Sequence, residues 1–119
     1  MDIVNVSERT TTISVNKEEL RAIKCSLGES AELLDDGELK NRMGITGDEA
    51  YDYIRKFNAI YRTNSDSEQL SLTTHEVKMI RLGLETCLEL DPDAEFSARM
   101  GFEKAEVRAI IAEFDALFG

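Results

Sequence analysis

The sequence predicts an all-α fold in which a duplicated three-helix unit packs as a pseudo-twofold six-helix bundle. The first observation is a tripeptide, Arg-Met-Gly, that occurs at residues 42–44 and again at 99–101. Placing the two tripeptides in register aligns residues 13–61 with residues 70–118 without a gap, and 15 of the 49 aligned positions are identical. Chance would give about three identities. Finally, apolar residues recur at helical spacing in both copies.

The duplication predicts the domain organisation. Residues 1–12 form an N-terminal arm, either loose or folded as a short strand, and the first repeat covers residues 13–61. A polar, turn-forming linker at 62–69 leads to the second repeat at 70–119. Three amphipathic helices of this size bury their apolar faces poorly alone. We therefore expect the two repeats to form one compact domain.

The first helix of each repeat has clear start signals. Asn16 and Thr73 are good N-cap residues, and each is followed three positions later by a glutamate that completes a capping box. Apolar residues then follow at helical spacing, which predicts one buried face. They are Leu20, Ile23, Leu27, Ala31 and Leu34 in the first repeat, and Val77, Ile80, Leu84 and Leu88 in the second.

A short second helix follows in each repeat, with Asp36 or Asp93 as its expected cap. A glutamate four residues before an arginine predicts an ion pair within this helix. The next glycine predicts a left-handed end. These residues are Glu38, Arg42 and Gly44 in the first repeat, and Glu95, Arg99 and Gly101 in the second.

The third helix is expected at residues 47–61 and 104–118. With the short helix before it, it resembles a helix-turn-helix, so a DNA-binding transcription regulator is the alternative function. That motif places basic or amide side chains at the start of its second helix. Here this position is acidic and would repel phosphates, so we expect no nucleic-acid partner. The acidic residues are Asp48, Glu49 and Asp52 in the first repeat, and Glu103 and Glu106 in the second.

No catalytic, cofactor or metal site is expected. His75 falls in the first turn of a helix, where a solvated side chain is the simplest interpretation. Cys25 and Cys87 lie far apart without metal or redox spacing, which predicts inert, reduced thiols. The acidic stretch at Asp91 lacks the glycine and the glutamate that an EF-hand loop requires. We therefore expect a protein that is not an enzyme.

The charge of the chain indicates what kind of partner it attracts. The formal net charge is −10 and is spread over both repeats. Such a field repels nucleic acid and anionic lipid and attracts basic proteins. The N-terminus has no signal-peptide pattern, and no apolar stretch reaches the length of a membrane span. We expect a cytoplasmic protein with no membrane partner.

Carboxylates that cluster between the first and second helices of each repeat are the candidate partner-binding residues, together with one tyrosine. Several lie in the last turn of a helix, where the dipole disfavours negative charge. Exposed tyrosines beside carboxylates are typical anchors of protein interfaces. The alternative interpretation is a solvated face with helix caps. The candidates are Glu29, Glu32, Asp35, Asp36 and Tyr51 in the first repeat, and Glu85, Glu89, Asp91 and Asp93 in the second.

The segments "VNKEELRAIKCSLGES" and "ELKNRMGITGDEAYDYIRKF" resemble the small, acidic, all-helical bacterial immunity proteins of toxin–immunity systems. The resemblance implies a non-enzymatic protein that covers the active site of a basic toxin, such as a nuclease, with its acidic surface. Immunity families share no transferable binding residues. We expect a monomer or a weak homodimer, the latter through an apolar patch of Met79, Leu82 and Tyr51.

Overall fold

The computed structural model describes residues 1–63 and 65–118, without the side chains of Asp93 and Ala94. In order along these residues lie β1 (Asp2–Val6), β2 (Thr10–Asn16), α1 (Lys17–Leu33), α2 (Asp36–Met43), α3 (Gly47–Tyr61), β3 (Ser67–Thr73), α4 (Thr74–Leu90), α5 (Asp93–Met100) and α6 (Lys104–Phe118). Each element from β3 to α6 begins and ends at the residues equivalent to the bounds of its counterpart between β2 and α3. The repeated unit is therefore one strand followed by three helices.

The prediction of an all-α fold is wrong, because a strand precedes the first helix of each repeat. The strands form one antiparallel sheet in the order β1-β2-β3. Residues 13–15 and 70–72 alternate apolar and polar side chains, the period of a strand with one buried face. Residues 1–12, where the sequence allows an arm or a short strand, contain β1 and the start of β2, and residues 62–69 contain the start of β3.

The pseudo-twofold axis passes through the middle of the β2–β3 pair. Ile13 is the register partner of Leu70, which is also its counterpart in the second repeat. Both side chains are buried on the inner face of the sheet. On the outer face, the hydroxyls of Thr12 and Ser71 form a hydrogen bond of 2.7 Å. Pairing between equivalent strands thus joins the two repeats edge to edge.

The same symmetry continues where α1 and α4 pack together below the sheet. Ser30 Oγ donates to the carbonyl oxygen of Gly83 at 3.2 Å, and Cys87 Sγ donates to that of Ser26 at 3.4 Å. These two bonds are equivalents of each other, because Cys87 is the counterpart of Ser30 and Gly83 is the counterpart of Ser26. A Cβ atom at Gly83 would lie 3.3 Å from Met43 Cε. Small residues therefore allow the two helices to approach closely.

One apolar core serves both repeats. It lies between the inner face of the sheet and the helices, and it contains the fully buried rings of Phe57, Phe96 and Phe114. The radius of gyration is 13.6 Å. A single domain of this length is expected to have a value of about 13.5 Å. The two repeats therefore share one globular body.

The expected helix starts are confirmed for the first helix of each repeat. Asn16 and Thr73 are the N-caps of α1 and α4, and both form complete capping boxes. The ends of the short helices are confirmed too. Gly44 and Gly101 follow α2 and α5 with φ angles of 74° and 71°. Only glycine adopts this left-handed conformation without a steric penalty, so the repeated tripeptide ends a helix in both repeats.

The expected cap of α2 is wrong by one residue. Asp35, not Asp36, is the N-cap, and its carboxylate accepts from the Glu38 amide at 2.8 Å. The side chain of an N-cap reaches the amide three positions later, and Glu38 at that position completes a capping box. In the second repeat, Pro92 is the N-cap and makes no side-chain cap bond. The expected cap Asp93 has a side chain outside the described part of the structure.

Candidate functional site

The corner between α1 and α2 carries an exposed acidic surface. Glu32, Asp35 and Asp36 are all exposed, and their carboxylates form no ion pair within residues 1–63 and 65–118. The capping box fixes the orientation of Asp35. Three carboxylates are therefore presented to solvent at one end of α1. With Tyr51, we call this surface the first corner.

Tyr51 lies on α3, and Asp36 lies against the start of the same helix. The Tyr51 side chain is 57% exposed on α3, one helical turn after Gly47. Positions four residues apart share one face of a helix. A Cβ atom at Gly47 would stand only 2.8 Å from Asp36 Oδ1, so Asp36 lies against the start of α3. The tyrosine ring and the Asp36 carboxylate thus belong to the same surface.

The acidic candidates of the second repeat are engaged within the protein. Glu85 pairs with Arg81 at 2.6 Å, and Glu89 pairs with Arg42. Asp91 is only 2% exposed, so its carboxylate is not presented to a partner. The side chain of Asp93 is not described. The structure therefore leaves the first-repeat carboxylates other than Glu29 exposed and without an ion pair among the described residues, whereas Glu85 and Glu89 are at least partly exposed but paired with arginines, and Asp91 is buried.

Glu29 and Asp91 form a buried acidic pair beneath Arg99. Their carboxylates lie 3.7 Å and 3.5 Å from Arg99 Nη1, and the Asp91 side chain is fully buried. Neither oxygen of Asp91, nor Oε2 of Glu29, accepts a hydrogen bond from the described residues. Burial raises the pKa of Glu29, and the neighbouring Asp91 carboxylate raises it further. Burial and the neighbouring carboxylate therefore both oppose ionisation of Glu29.

The equivalent position in the first repeat is not acidic. There Arg42 replaces Arg99 and donates to Thr86 Oγ1 at 2.8 Å. Thr86 is the counterpart of Glu29, and Leu34 is the counterpart of Asp91. Both counterparts are uncharged and buried, so the buried pair of carboxylates belongs to the second repeat's arginine alone.

Of the two ion pairs predicted within the short helices, one is confirmed and the other is wrong. The pair between Glu95 and Arg99 is confirmed at 3.5 Å. The pair between Glu38 and Arg42 is wrong, because Arg42 reaches across to α4. Glu38 accepts instead from the Asp35 amide at 3.1 Å as part of the capping box.

The remaining reactive side chains lack the surroundings of a catalytic group. His75 is exposed in the first turn of α4, as expected. Both cysteines are free, and burial raises the pKa of Cys87 to about 12, so its thiol stays protonated and inert. Across residues 1–63 and 65–118, no three His, Cys, Asp or Glu side chains are grouped so that they could hold a metal ion.

The structure also shows where the residues lie that bear on DNA binding, on dimerisation and on membrane insertion. Asp48, Glu49 and Asp52 are exposed at the start of α3, where a helix-turn-helix protein would meet phosphates. Met79 is fully buried and Leu82 is half-buried, so they form no surface patch with Tyr51. Within the described part of the chain, the helices are too short or too polar to cross a membrane.

A groove that the sequence analysis missed lies between the turn after β1 and helices α4 and α6. It has a volume of about 400 Å³. Arg9 and Lys78 stand at its rim, two cations in a chain of strongly negative charge. Arg9 belongs to the N-terminal arm and Lys78 to the second repeat, far apart along the chain, so no local motif marks their juxtaposition.

Comparisons with known proteins add no relative to this description. No protein-family model matches the sequence, and no curated protein or solved structure proved similar to it. Function must therefore be argued from the surfaces themselves.

Proposed function

We propose that this protein is a non-enzymatic binding module that neutralises a basic protein toxin, such as a nuclease, by covering its active site with the first corner. One observation supports the proposal above the others: Glu32, Asp35 and Asp36 are exposed and form no ion pair with the described residues, and Asp36 lies against the start of the helix that carries the exposed Tyr51. A cytoplasmic location, where an immunity protein would meet an incoming toxin, belongs to the same proposal.

Electrostatics gives this surface its role. The net charge of −10 attracts a basic protein over long range, and the first corner then offers local charge complementarity. A nuclease groove binds phosphates through lysine and arginine side chains. The carboxylates of Glu32, Asp35 and Asp36 would take the place of those phosphates.

The first corner is also partly pre-organised. Asp35 is fixed by its hydrogen bond to the Glu38 amide, and Asp36 lies against the start of α3. Side chains that are already ordered lose little entropy when a partner binds. Tyr51 adds a large, stiff and amphipathic ring, the kind of side chain that dominates many interfaces. Charge therefore guides the encounter, and the tyrosine anchors the complex.

The test begins with capture of a partner from secreted and envelope fractions of the source cell, followed by measurement of its Kd. The triple variant Glu32→Gln, Asp35→Asn, Asp36→Asn removes three charges, and asparagine at position 35 retains the helix cap. We expect binding to weaken by roughly 10- to 100-fold, because each rim charge contributes up to about 1 kcal/mol. Tyr51→Ala should weaken binding by roughly 30-fold.

A matched control removes the same charge elsewhere, through Glu8→Gln, Asp66→Asn and Glu103→Gln. All three residues are exposed and lie outside the first corner. This variant should bind within about threefold of the wild type at physiological salt, where distant charges are screened. Equal weakening by both triple variants would exclude the first corner as the binding surface. Specific retention of duplex DNA in a gel shift would favour a DNA-binding regulator instead.

A further inference from the structure

The two repeats differ at the end of the third helix. In the first repeat, the chain that leaves α3 packs against the start of α1. Lys17 Nζ donates to the carbonyl oxygen of Tyr61 and, at 2.5 Å, to that of Thr63. The Tyr61 ring lies beneath the ammonium groups of Lys17 and Lys24, at 5.0 and 4.9 Å from its centroid. Thr63 also forms a hydrogen bond with Glu68 of β3. Polypeptide therefore covers this position.

In the second repeat, the equivalent position is the open groove. Thr74 replaces Lys17, and Phe118 replaces Tyr61. Arg81, the counterpart of Lys24, is held by Asp115 at 2.7 Å and by Glu85 at 2.6 Å. The floor of the groove is apolar and consists of Leu72, Val77, Phe114 and Phe118.

We propose that this groove binds an extended peptide segment of a partner protein, with an apolar side chain next to a carboxylate. The apolar floor accommodates the apolar side chain, and a volume of about 400 Å³ lies within the usual range of ligand sites. Arg9 and Lys78 are exposed at the rim and form no ion pair with the described residues. They supply the complementary charge for the carboxylate.

The choice of a peptide follows from the first repeat. There the equivalent position is filled by the protein's own backbone, whose carbonyl oxygens accept from a lysine. Arg81 is compensated by Asp115 and Glu85, so the lining charges without an ion pair among the described residues are Arg9, Lys78 and Glu8, which leave an excess of one positive charge in a chain of net charge −10. The groove thus selects an acidic segment, the opposite of the basic surface that the first corner would bind. This inference does not depend on the proposed toxin, and either can fail alone.

The experiment is an NMR titration of the full chain with three capped hexapeptides, in which leucine alternates with aspartate, serine or lysine. The aspartate peptide should shift the amide signals of Arg9, Thr10, Thr74 and Lys78. Its affinity should exceed that of the serine peptide by at least about fivefold, with the lysine peptide weaker still. Absence of shifts at the groove, or equal affinity for all three peptides, would overturn the proposal.

Three variants and one further probe sharpen the result. The double variant Arg9→Gln, Lys78→Gln should weaken binding of the aspartate peptide by roughly two- to fivefold for each charge removed. The control Lys56→Gln with Arg62→Gln, also exposed, should leave its affinity unchanged. Thr74→Trp fills the groove without changing charge and should abolish binding. Unchanged binding by Thr74→Trp contradicts the proposal. Saturation of the groove by octanoate but not by the peptide contradicts it too, because the occupant would then be a small amphiphilic anion.

Discussion

The two repeats build the same elements at the same spacing, yet they use their carboxylates differently. In the first repeat, Glu32, Asp35 and Asp36 point to solvent. In the second, Asp91 is buried under Arg99, whereas the equivalent arginine of the first repeat bonds to the uncharged Thr86 and to the exposed Glu89. A duplicated scaffold thus retained its backbone while its charged side chains took on separate roles.

The comparison also shows where sequence identity misleads. Arg42 and Arg99 occupy identical tripeptides, but Arg42 bonds to Thr86 and Glu89 of α4, whereas Arg99 pairs with Glu29, Asp91 and its own helix's Glu95. The residues that decide the difference lie on other helices. The methionine and the glycine of the tripeptide keep the same role in both repeats, since both methionines are buried in the core and both glycines end a helix.

The largest expected effect tests whether the repeats fold as one unit. Phe57→Ala and Phe114→Ala each delete a fully buried ring and should each cost about 3–5 kcal/mol. Urea unfolding should be followed by circular dichroism, which reports both repeats, and by tyrosine fluorescence. All three tyrosines lie in the first repeat, so their fluorescence reports that repeat alone.

Because the core is continuous, the tyrosine transition should move equally in both variants and coincide with the circular dichroism transition. A Phe114→Ala protein whose tyrosine transition stays at the wild-type midpoint would show two independent halves. That result would contradict the conclusion that the two repeats share one core.

The next effect comes from making the second repeat match the first at the buried pair. Glu29→Thr with Asp91→Leu copies Thr86 and Leu34 and should stabilise the protein by about 1–3 kcal/mol at neutral pH. Arg99 keeps Glu95 as a partner and is itself exposed. Thermal unfolding measures the gain. A less stable double variant would mean that the carboxylates stabilise the fold through Arg99.

A smaller effect concerns the caps of the short helices. Asp35→Ala removes the capping bond of α2 and should cost about 1 kcal/mol, whereas Asp35→Asn should be nearly neutral. In the second repeat, Pro92→Asp would place a cap three residues before Glu95 and should stabilise by less than about 1 kcal/mol. Chemical denaturation of the three variants compares how much the N-cap contributes to stability in α2 and in α5. A neutral Asp35→Ala would contradict the assigned cap.

The smallest effect depends on pH. The pKa of Glu29 is higher in the folded protein than in the unfolded chain, so the folded state holds this proton more tightly. The corresponding stability is present below the unfolded pKa and is lost as pH rises through the folded pKa. Glu29→Gln mimics the protonated acid. It should match the wild type near pH 3.5 and exceed its stability by up to about 1 kcal/mol at pH 7.

Melting temperatures of the wild type and the Glu29→Gln variant across this pH range measure the difference. Glu8→Gln also removes one exposed carboxylate, but Glu8 is not among the charges that act on Glu29, so this variant is the matched control and should show no such pH dependence. A gain for Glu29→Gln that is equal at both ends of the range would mean that ionisation of Glu29 is not its cause.

Much of the fold follows from local signals. Capping boxes at Asn16 and Thr73 and the glycines after the short helices lie at the expected residues. A short strand is among the expectations for residues 1–12, but β2 and β3 are not predicted, although residues 13–15 and 70–72 show a two-residue alternation. Runs this short do not distinguish a strand from the approach to a helix cap, and pairing between equivalent residues of two distant segments has no local signature.

The candidate surface was predictable only in part. Its acidic character and the exposure of Tyr51 follow from composition and helical spacing. The inward turn of Asp91, and the groove beside Arg9 and Lys78, depend on which helices meet. Arg42 and Arg99 occupy the same tripeptide but have different partners, because each also contacts a helix of the other repeat.

Caps, turns and helical periods involve interactions between residues a few positions apart, so the sequence alone predicts the duplication, the six helices, the capped starts of α1 and α4, and the glycine ends of α2 and α5. The joining of the repeats through a sheet, and the placement of each carboxylate against solvent, an arginine or another carboxylate, are properties of the assembled fold. Those outcomes depend on contacts between distant segments, whose energies arise only when the core assembles.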